Sequence, residues 1–492
     1  MADPGSREPI PAPASRSEQA ATAILVLAIT ALAAVLRFHA LGEDSLWRDE
    51  ASSWLEAHGS LADILTATAR DNYPPLHNLL LAVSMHFFGD REWALRLPSA
   101  ILGVLNVLAL YWVGSTVGGR LAGLFAALFL ALSPFHVWYS QEARMYTLLA
   151  LAATLYAGTA LWLCRKATVP RAVACIAAGT ALLYSHLYGS FTWLAITIPI
   201  TVMIARAPSP DGVRLRTWLA LQAIIAILFA PWAVILLQRA IIVHQLGFWI
   251  PYPTPAIILE ELTKLTSGRV ALAFLVIAGA LALLVGRGST RGPLSAGHRP
   301  TWPELAVIAA WCLGPIVIGI AISALTTPVF YSRYVIASLP AAALLAGIGC
   351  ASLVAGWASL AAVAAIAGAV SFYAFTTGGP GPREEWRAVS AFLAARLAPG
   401  TCVLTDEYIQ VKMIAYYHPD PSACVLAADA LPPDKSIPPG PSGIATSRVF
   451  ALMVWGDRKA IAALPTPPWT PGGPPTEFGV IRIVPMARTP AG

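Results

Sequence analysis

Long unbroken apolar runs, and not alternating positions, dominate the first three quarters of the chain. They recur at 21–41, 97–117, 121–138, 147–163, 173–188, 190–206, 217–237, 270–286, 304–324, 334–354 and 358–376. A helix needs roughly 17 to 25 such residues to cross a bilayer, so the pattern predicts about eleven transmembrane helices. One further run, Pro74–Gly89, is shorter and contains His77 and His86. If it spanned, every later loop would invert and break the charge pattern described below. It therefore reads as a juxtamembrane or re-entrant helix within a long first outer loop, 42–96, with a short true span as the alternative.

From about residue 378 the pattern changes. Pro-rich joints and ordinary charge density separate the helix-like RAVSAFLAARL from the strand-like TCVLT, ACVLAA, RVFALMVW and EFGVIRIV. Strands interleaved with helical stretches predict a small α/β unit. The first twenty residues are rich in Pro, Ala and Ser, and the apolar run behind them is too long for a cleaved signal core. The expected fold class is thus a polytopic α-helical membrane protein with a small C-terminal extracytoplasmic α/β domain. Its expected parts are a disordered cytoplasmic tail (1–20), a transmembrane domain (21–377) and the extracytoplasmic domain (378–492).

Composition agrees with lipid as the main solvent. Hydrophobic residues make up 57% and charged residues 12%, against roughly 25% charged in soluble domains, and the mean hydropathy is +0.66. These values exclude a soluble globular enzyme, a disordered chain and a coiled coil. The net charge is +6, but the basic residues lie between apolar runs and do not gather on one soluble face, so no nucleic-acid partner is expected. Gaps holding Arg165, Lys166 and Arg171, then Arg206, Arg214 and Arg216, then Arg287, Arg291 and Arg299, are basic. The positive-inside rule makes those three cytoplasmic. By parity the segments 139–146, 186–190, 238–269 and 326–333, and everything after 377, fall on the outer side.

Polar residues gather at the outer ends of the spans. In LGEDSLWRDEASSWLEAHG, Glu43 and Asp44 read as solvated loop charge, whereas Asp49 and Glu50 lie between Trp47 and Trp54, residues that favour the membrane interface. A carboxylate held there can act as a general base on a hydroxyl whose partner arrives from the lipid. The WYSQEARMYTL stretch brings Gln141, Glu142, Arg144 and Tyr146 to a helix junction, where polar groups are costly; a Glu142–Arg144 interaction that merely pins the turn is the alternative. In NYPPLHN, Pro74 and Pro75 open a helix and aim Tyr73 and His77 at its entrance. Arg96 and Arg333 stand at outer span ends against the charge bias. Each either snorkels to headgroups or clamps a lipid-linked phosphate.

The Asp49–Glu50 pair, NYPPLHNLLL, LRLPSAILG, SPFHVWYSQEARMYTLLAL and SRYVIASLP together resemble the GT-C glycosyltransferases. More narrowly they resemble family 39 and its relatives, the protein O-mannosyltransferases and the transferases that put aminoarabinose on lipid A. The resemblance implies transfer of a sugar from a polyprenyl-phosphate donor to an acceptor hydroxyl on the outer face, with inversion. It implies Asp49 as the base, Glu50, Glu142 and Gln141 as positioners of acceptor or sugar hydroxyls, and Arg144, Arg333 and Arg96 on the donor phosphate. Tyr73, His77 and Tyr146 are further substrate-binding candidates. No metal and no cofactor is expected, since two guanidiniums can offset the charge on a leaving monophosphate. The expected partners are the lipid-linked donor, an acceptor glycolipid, glycan or protein, and membrane lipids, at the plasma membrane.

Two other classes remain open on the residues. A ligase or polymerase would use a diphosphate-linked donor and a long late outer loop, and a transporter would place its charges near mid-bilayer. Of six cysteines, Cys164, Cys175, Cys312 and Cys350 lie in or beside spans as small hydrophobes. Cys402 and Cys424 fall on expected strands, where an oxidising compartment allows a disulfide and reduced thiols are the alternative.

Overall fold

The computed structural model describes residues 15–71, 73–285, 299–377, 384–397, 401–417, 424–427, 448–454 and 469–488. Residues 1–14 of the expected tail, and Arg287 and Arg291 of the third basic gap, lie outside the described residues. In chain order the helices begin α1 (Arg16–Phe38), α2 (Arg48–Glu56), α3 (Leu61–Arg70), α4 (Leu76–Phe88), α5 (Glu92–Gly118) and α6 (Arg120–Ala131). They continue α7 (Pro134–Ser140), α8 (Tyr146–Arg165), α9 (Val169–Leu183), α10 (Leu187–Arg206), α11 (Leu215–Leu246) and α12 (Pro255–Leu265). Then follow α13 (Arg269–Val285), α14 (Trp302–Leu325), α15 (Ser338–Ser352) and α16 (Trp357–Thr377). The last stretch gives α17 (Trp386–Ala394), β1 (Thr401–Thr405), α18 (Tyr408–Tyr417), β2 (Cys424–Ala427), β3 (Arg448–Val454), β4 (Trp469–Pro471), β5 (Thr476–Phe478) and β6 (Ile481–Arg488).

Every apolar run of the sequence is helical. Seven described helices are long and apolar enough to cross a membrane, and the number rises to nine where each of the bent pairs α6–α7 (63°) and α12–α13 (86°) is counted as one span. The remaining two runs become α9 and α15, each only 15 residues long. α15 is short because it is a core helix. All but a few of its residues are buried, and it packs against α6, α13 and α14. Small residues permit that approach: a Cβ at Gly349 would stand 1.9 Å from the Ala278 carbonyl of α13. By contrast α1 leaves Ile24, Leu27 and Val35 more than half exposed, the signature of a helix solvated by lipid.

Chain contacts divide the protein into two units, 1–39 with 59–84 and 96–379, and 40–58 with 85–95 and 380–492. The second unit thus takes in α2 as well as the C-terminal sheet. That sheet runs β2-β1-β3-β6-β4, with β5 also on β6. β1 is parallel to β2 and β3, while β6 is antiparallel to β3, β4 and β5. Cys402 and Cys424 are register partners on β1 and β2 and form a disulfide. EFGVIRIV is one strand in the sequence reading but a hairpin in the structure. Gly479 turns at φ +58°, and Phe478 pairs with Ile481 across it; a two-residue loop of this kind favours a residue that accepts positive φ.

Candidate active site

The first unit builds its polar cluster where helices break. Ser133 and Pro134 restart the chain after α6, with the Ser133 hydroxyl accepting from the His136 N–H (3.3 Å), an N-cap joined to a proline at the first helical position. α7 lasts two turns, and Gln141 to Met145 then cross to α8 outside any helix. Glu142 is 6% exposed, Arg144 3% and Tyr146 fully buried. The Ser99 hydroxyl of α5 donates to the Arg144 carbonyl (3.1 Å), which fixes the link from the other side. Arg96 lies one turn ahead of Ser99 and is 2% exposed.

The Arg144 guanidinium carbon stands 4.9 Å over the Tyr73 ring. The Tyr73 hydroxyl is 3.0 Å from that of Tyr334, and the His186 ring packs 5.1 Å from Tyr73 and 5.0 Å from Tyr334. Next to Tyr334, Arg333 faces four rings, Trp249, Tyr331, Tyr334 and Tyr146, at 5.2–5.9 Å. Guanidiniums over aromatic faces hold their charge where water is scarce. Glu142 and Arg333 both lie within electrostatic reach of the Tyr139 hydroxyl. Among the sequence candidates, Tyr73, Arg144, Tyr146 and Arg333 therefore share one aromatic cluster.

Electrostatics agree with that placement. Burial, reinforced by Arg144, pushes His77 down to about 3. Burial and both arginines, Arg144 and Arg333, do the same to His186. Burial and the neighbouring tyrosines raise Tyr73 well above its usual value, against the pull of the two guanidiniums. Both histidines are thus neutral at physiological pH, and the cluster's charge is cationic.

The turn that carries Arg333 is held from α12 and α14. Glu261, 4% exposed, accepts the Ser332 N–H (2.8 Å) and receives Lys264 (2.8 Å) on its other oxygen. The Ser323 hydroxyl accepts both Val329 and Phe330 N–H groups at 2.8 Å. A cavity of about 460 Å³ adjoins the cluster and shares Tyr73, His186 and Tyr334 with it. Much of the remaining wall is apolar, including Leu236, Phe248 and Ile322.

Gln141 stands apart from the cluster. Its amide donates to the carbonyls of Leu36 (3.2 Å) and His39 (2.8 Å), capping the C-terminal end of α1. Beside it lies a network no sequence pattern flagged. Buried Arg37 donates to the Leu130 and Ala131 carbonyls (3.0 and 3.2 Å) and meets His136 at 2.8 Å, while His136 meets Asn106 at 3.2 Å. These bonds satisfy the carbonyls that α6 leaves open at its break.

Asp49 and Glu50 belong to the second unit, on the first turn of α2, where the helix dipole favours carboxylates. Glu50 is fully buried and its carboxylate reaches back to the Trp47 N–H (3.3 Å). Asp49 is half-buried. Among the described residues no group of three His, Cys, Asp or Glu side chains is placed to hold a metal ion.

Residues 72–235 match the family model described as dolichyl-phosphate-mannose-protein mannosyltransferase. No curated protein sequence matches the chain. Among solved structures, apo ArnT from Cupriavidus metallidurans superposes with a TM-score of 0.58 at 18% identity, over 95% of this chain and 98% of that one. The same protein bound to undecaprenyl phosphate gives 0.55 at 15% identity, over 96% and 98%. The archaeal oligosaccharyltransferase AglB from Archaeoglobus fulgidus, with an inhibitory peptide and a dolichol-phosphate, gives 0.51 at 13% identity, over 89% and 70%. The family match thus covers residues 72–235, and the likeness to these solved structures shows a shared fold over nearly the whole length of the chain.

Proposed function

We propose that the protein transfers a sugar from a polyprenyl-phosphate donor to an acceptor hydroxyl at the extracytoplasmic face of the plasma membrane, with inversion at the anomeric carbon. The observation that carries this reading is the junction in the first unit, where a cationic aromatic cluster and an apolar cavity share Tyr73, His186 and Tyr334. Such a site suits a ligand with an anionic head and a hydrocarbon tail. The undecaprenyl phosphate of the ArnT complex and the dolichol-phosphate of the AglB complex support the same ligand class.

In this reading Arg144 and Arg333, with Arg96 behind them, hold the donor phosphate and stabilise it as the bond from the anomeric carbon to the phosphate oxygen breaks. Asp49 takes the proton of the acceptor hydroxyl as its oxygen forms the new bond on the opposite face. Glu50 and Glu142 position hydroxyls, and Tyr73, His77 and Tyr146 line the head of the donor. Gln141 contributes by fixing α1 against the Glu142–Arg144 link. The acceptor is a glycolipid, a glycan or a protein, and the sugar is mannose-like or related.

The test is transfer from a panel of labelled polyprenyl-phosphate sugars in membranes holding either the wild type or Asp49→Asn at matched expression. Transfer by the wild type that disappears in the variant supports the reading and identifies the donor. Undiminished transfer by the variant removes Asp49 as base. Absence of transfer from every monophosphate donor, with transfer from a diphosphate-linked one, overturns the donor class.

A further inference from the structure

Parallel strands that run to either side of a common neighbour leave a crevice at their C-terminal ends, where open α/β sheets bind ligands. β1 has that position, with β2 on one side and β3 on the other. Just past its end, Glu407 receives the Arg48 guanidinium at 3.0 Å. Arg48 is the first residue of α2, and Asp49 is the second. What meets the sheet at its usual ligand edge is therefore the helix that carries the carboxylate pair.

The same unit grips the segment ahead of α2 at successive points. Arg387 donates to the carbonyls of Gly42 (3.1 Å) and Glu43 (2.7 Å), and its N–H donates to the Ser45 hydroxyl (3.1 Å). The Tyr417 hydroxyl accepts the Leu46 N–H (2.7 Å). Glu384, only 3% exposed, accepts the Arg48 N–H (3.1 Å) and the Trp386 indole N–H (2.7 Å) on one oxygen. Behind Asp49, Trp54 meets the Tyr416 ring edge-on at 5.0 Å. A helix of nine residues is too short to hold its own shape in water, so its place is set by these contacts.

We propose that the C-terminal α/β unit is the positioning device for Asp49: Tyr417 and Glu384 fix the N–H groups of Leu46 and Arg48, three positions and one position ahead of it, and so fix where its carboxylate stands. This rests on the reading of Asp49 as the general base. Glu384 and Tyr417 are positioning residues, since each touches backbone and neither is placed on a reacting atom. The arrangement gives the C-terminal unit a task in the transfer step itself, separate from any contact with acceptor.

The test uses the full chain, with transfer rate at saturating donor measured in membranes and polyprenyl-phosphate affinity measured on the purified protein. Glu384→Leu is expected to lower the rate about 10- to 100-fold, the cost of a misplaced catalytic group, and Tyr417→Phe about fivefold on the same ground. Affinity for polyprenyl phosphate stays within about twofold in both, because the donor cluster is untouched. Glu384→Gln keeps an accepting oxygen and recovers most of the rate. Undiminished rate in Glu384→Leu and Tyr417→Phe, with Asp49→Asn inactive, overturns the proposal while leaving the base in place. Equal loss in Glu384→Leu and Glu384→Gln together with lost donor affinity also overturns it, as a folding defect. Full activity of Asp49→Asn is a different result, which removes the base and this inference with it.

Discussion

The candidate residues of the two units carry opposite charges, and the units hold them by opposite means. In the first, Arg144 and Arg333 lie over aromatic rings beside an apolar cavity, fixed by breaks in long helices. In the second, Asp49 and Glu50 occupy the first turn of a short helix held by hydrogen bonds to its backbone. The cations can stay in a nearly dry site because delocalised guanidiniums are weakly hydrated and stack on rings. The helix that carries Asp49 is gripped by its backbone and the Asp49 side chain is half-buried, an arrangement that suits the base of the proposed reaction. On the proposed function, the difference assigns substrate charge to the unit with the long helices and proton chemistry to the unit that carries α2.

That division predicts which kinetic constant each substitution moves. Asp49→Asn is expected to lower the transfer rate by about 10²- to 10⁴-fold, the usual worth of a positioned base. Its affinity for polyprenyl phosphate stays within about twofold. Rate and binding are measured on the same preparation; a parallel loss of both would break the comparison. Arg333→Ala is expected to do the reverse first, weakening polyprenyl-phosphate binding by about 10- to 100-fold, the worth of one charge-assisted hydrogen bond of about 1.5–3 kcal/mol. Arg333→Lys keeps the charge but not the planar fork, so it falls between.

Much of this was legible before the structure, and the reasons are physical. Apolar runs declare helices whatever the fold, so each of the eleven appears. Asp49 stood out between two tryptophans that favour the interface, Arg144 as a polar residue at a helix junction, where such groups are costly, and Arg333 because it runs against the charge bias of outer span ends. What stayed hidden depends on partners distant in sequence. Gln141 caps a helix about 100 positions earlier, and Arg37 reaches Leu130 at a similar separation; neither pairing leaves a local pattern. The Gly479 turn was concealed because a single glycine inside an apolar stretch also fits a strand. The run that became α15 reads as longer than its helix because it is apolar all round for burial in protein, which hydropathy cannot tell from burial in lipid.

Glu261 sharpens the comparison at smaller scale. It was invisible in the sequence, an acidic residue in an ordinary amphipathic stretch, yet it is buried and holds the Ser332 N–H next to Arg333. Glu261→Ala leaves that N–H without its acceptor and is expected to weaken polyprenyl-phosphate binding about tenfold, equivalent to about 1.4 kcal/mol. Glu261→Gln, which can still accept, costs less. A loss of transfer rate with unchanged binding would show that the turn serves the chemistry and not the donor.

A last effect, on stability and not on transfer or binding, concerns the neutral histidines. His186 is held down to about 3 by burial and by Arg144 and Arg333, whereas the same side chain in an unfolded chain titrates near 6.5. Between those values the unfolded state binds the extra proton, so stability falls as pH drops from about 6.5 toward 3, by at most about 1.4 kcal/mol per pH unit for this group. Above about 6.5 it has no effect. The imidazole also accepts the Tyr188 N–H (3.0 Å) at the start of α10, a cap that asparagine can supply. Thermal unfolding of detergent-solubilised His186→Asn is therefore expected to lose less stability than the wild type between pH 6.5 and 4, and to match it at pH 8. Identical pH curves for the two would mean that His186 is protonated within the fold, and the cluster would then carry a third cation beside its two arginines.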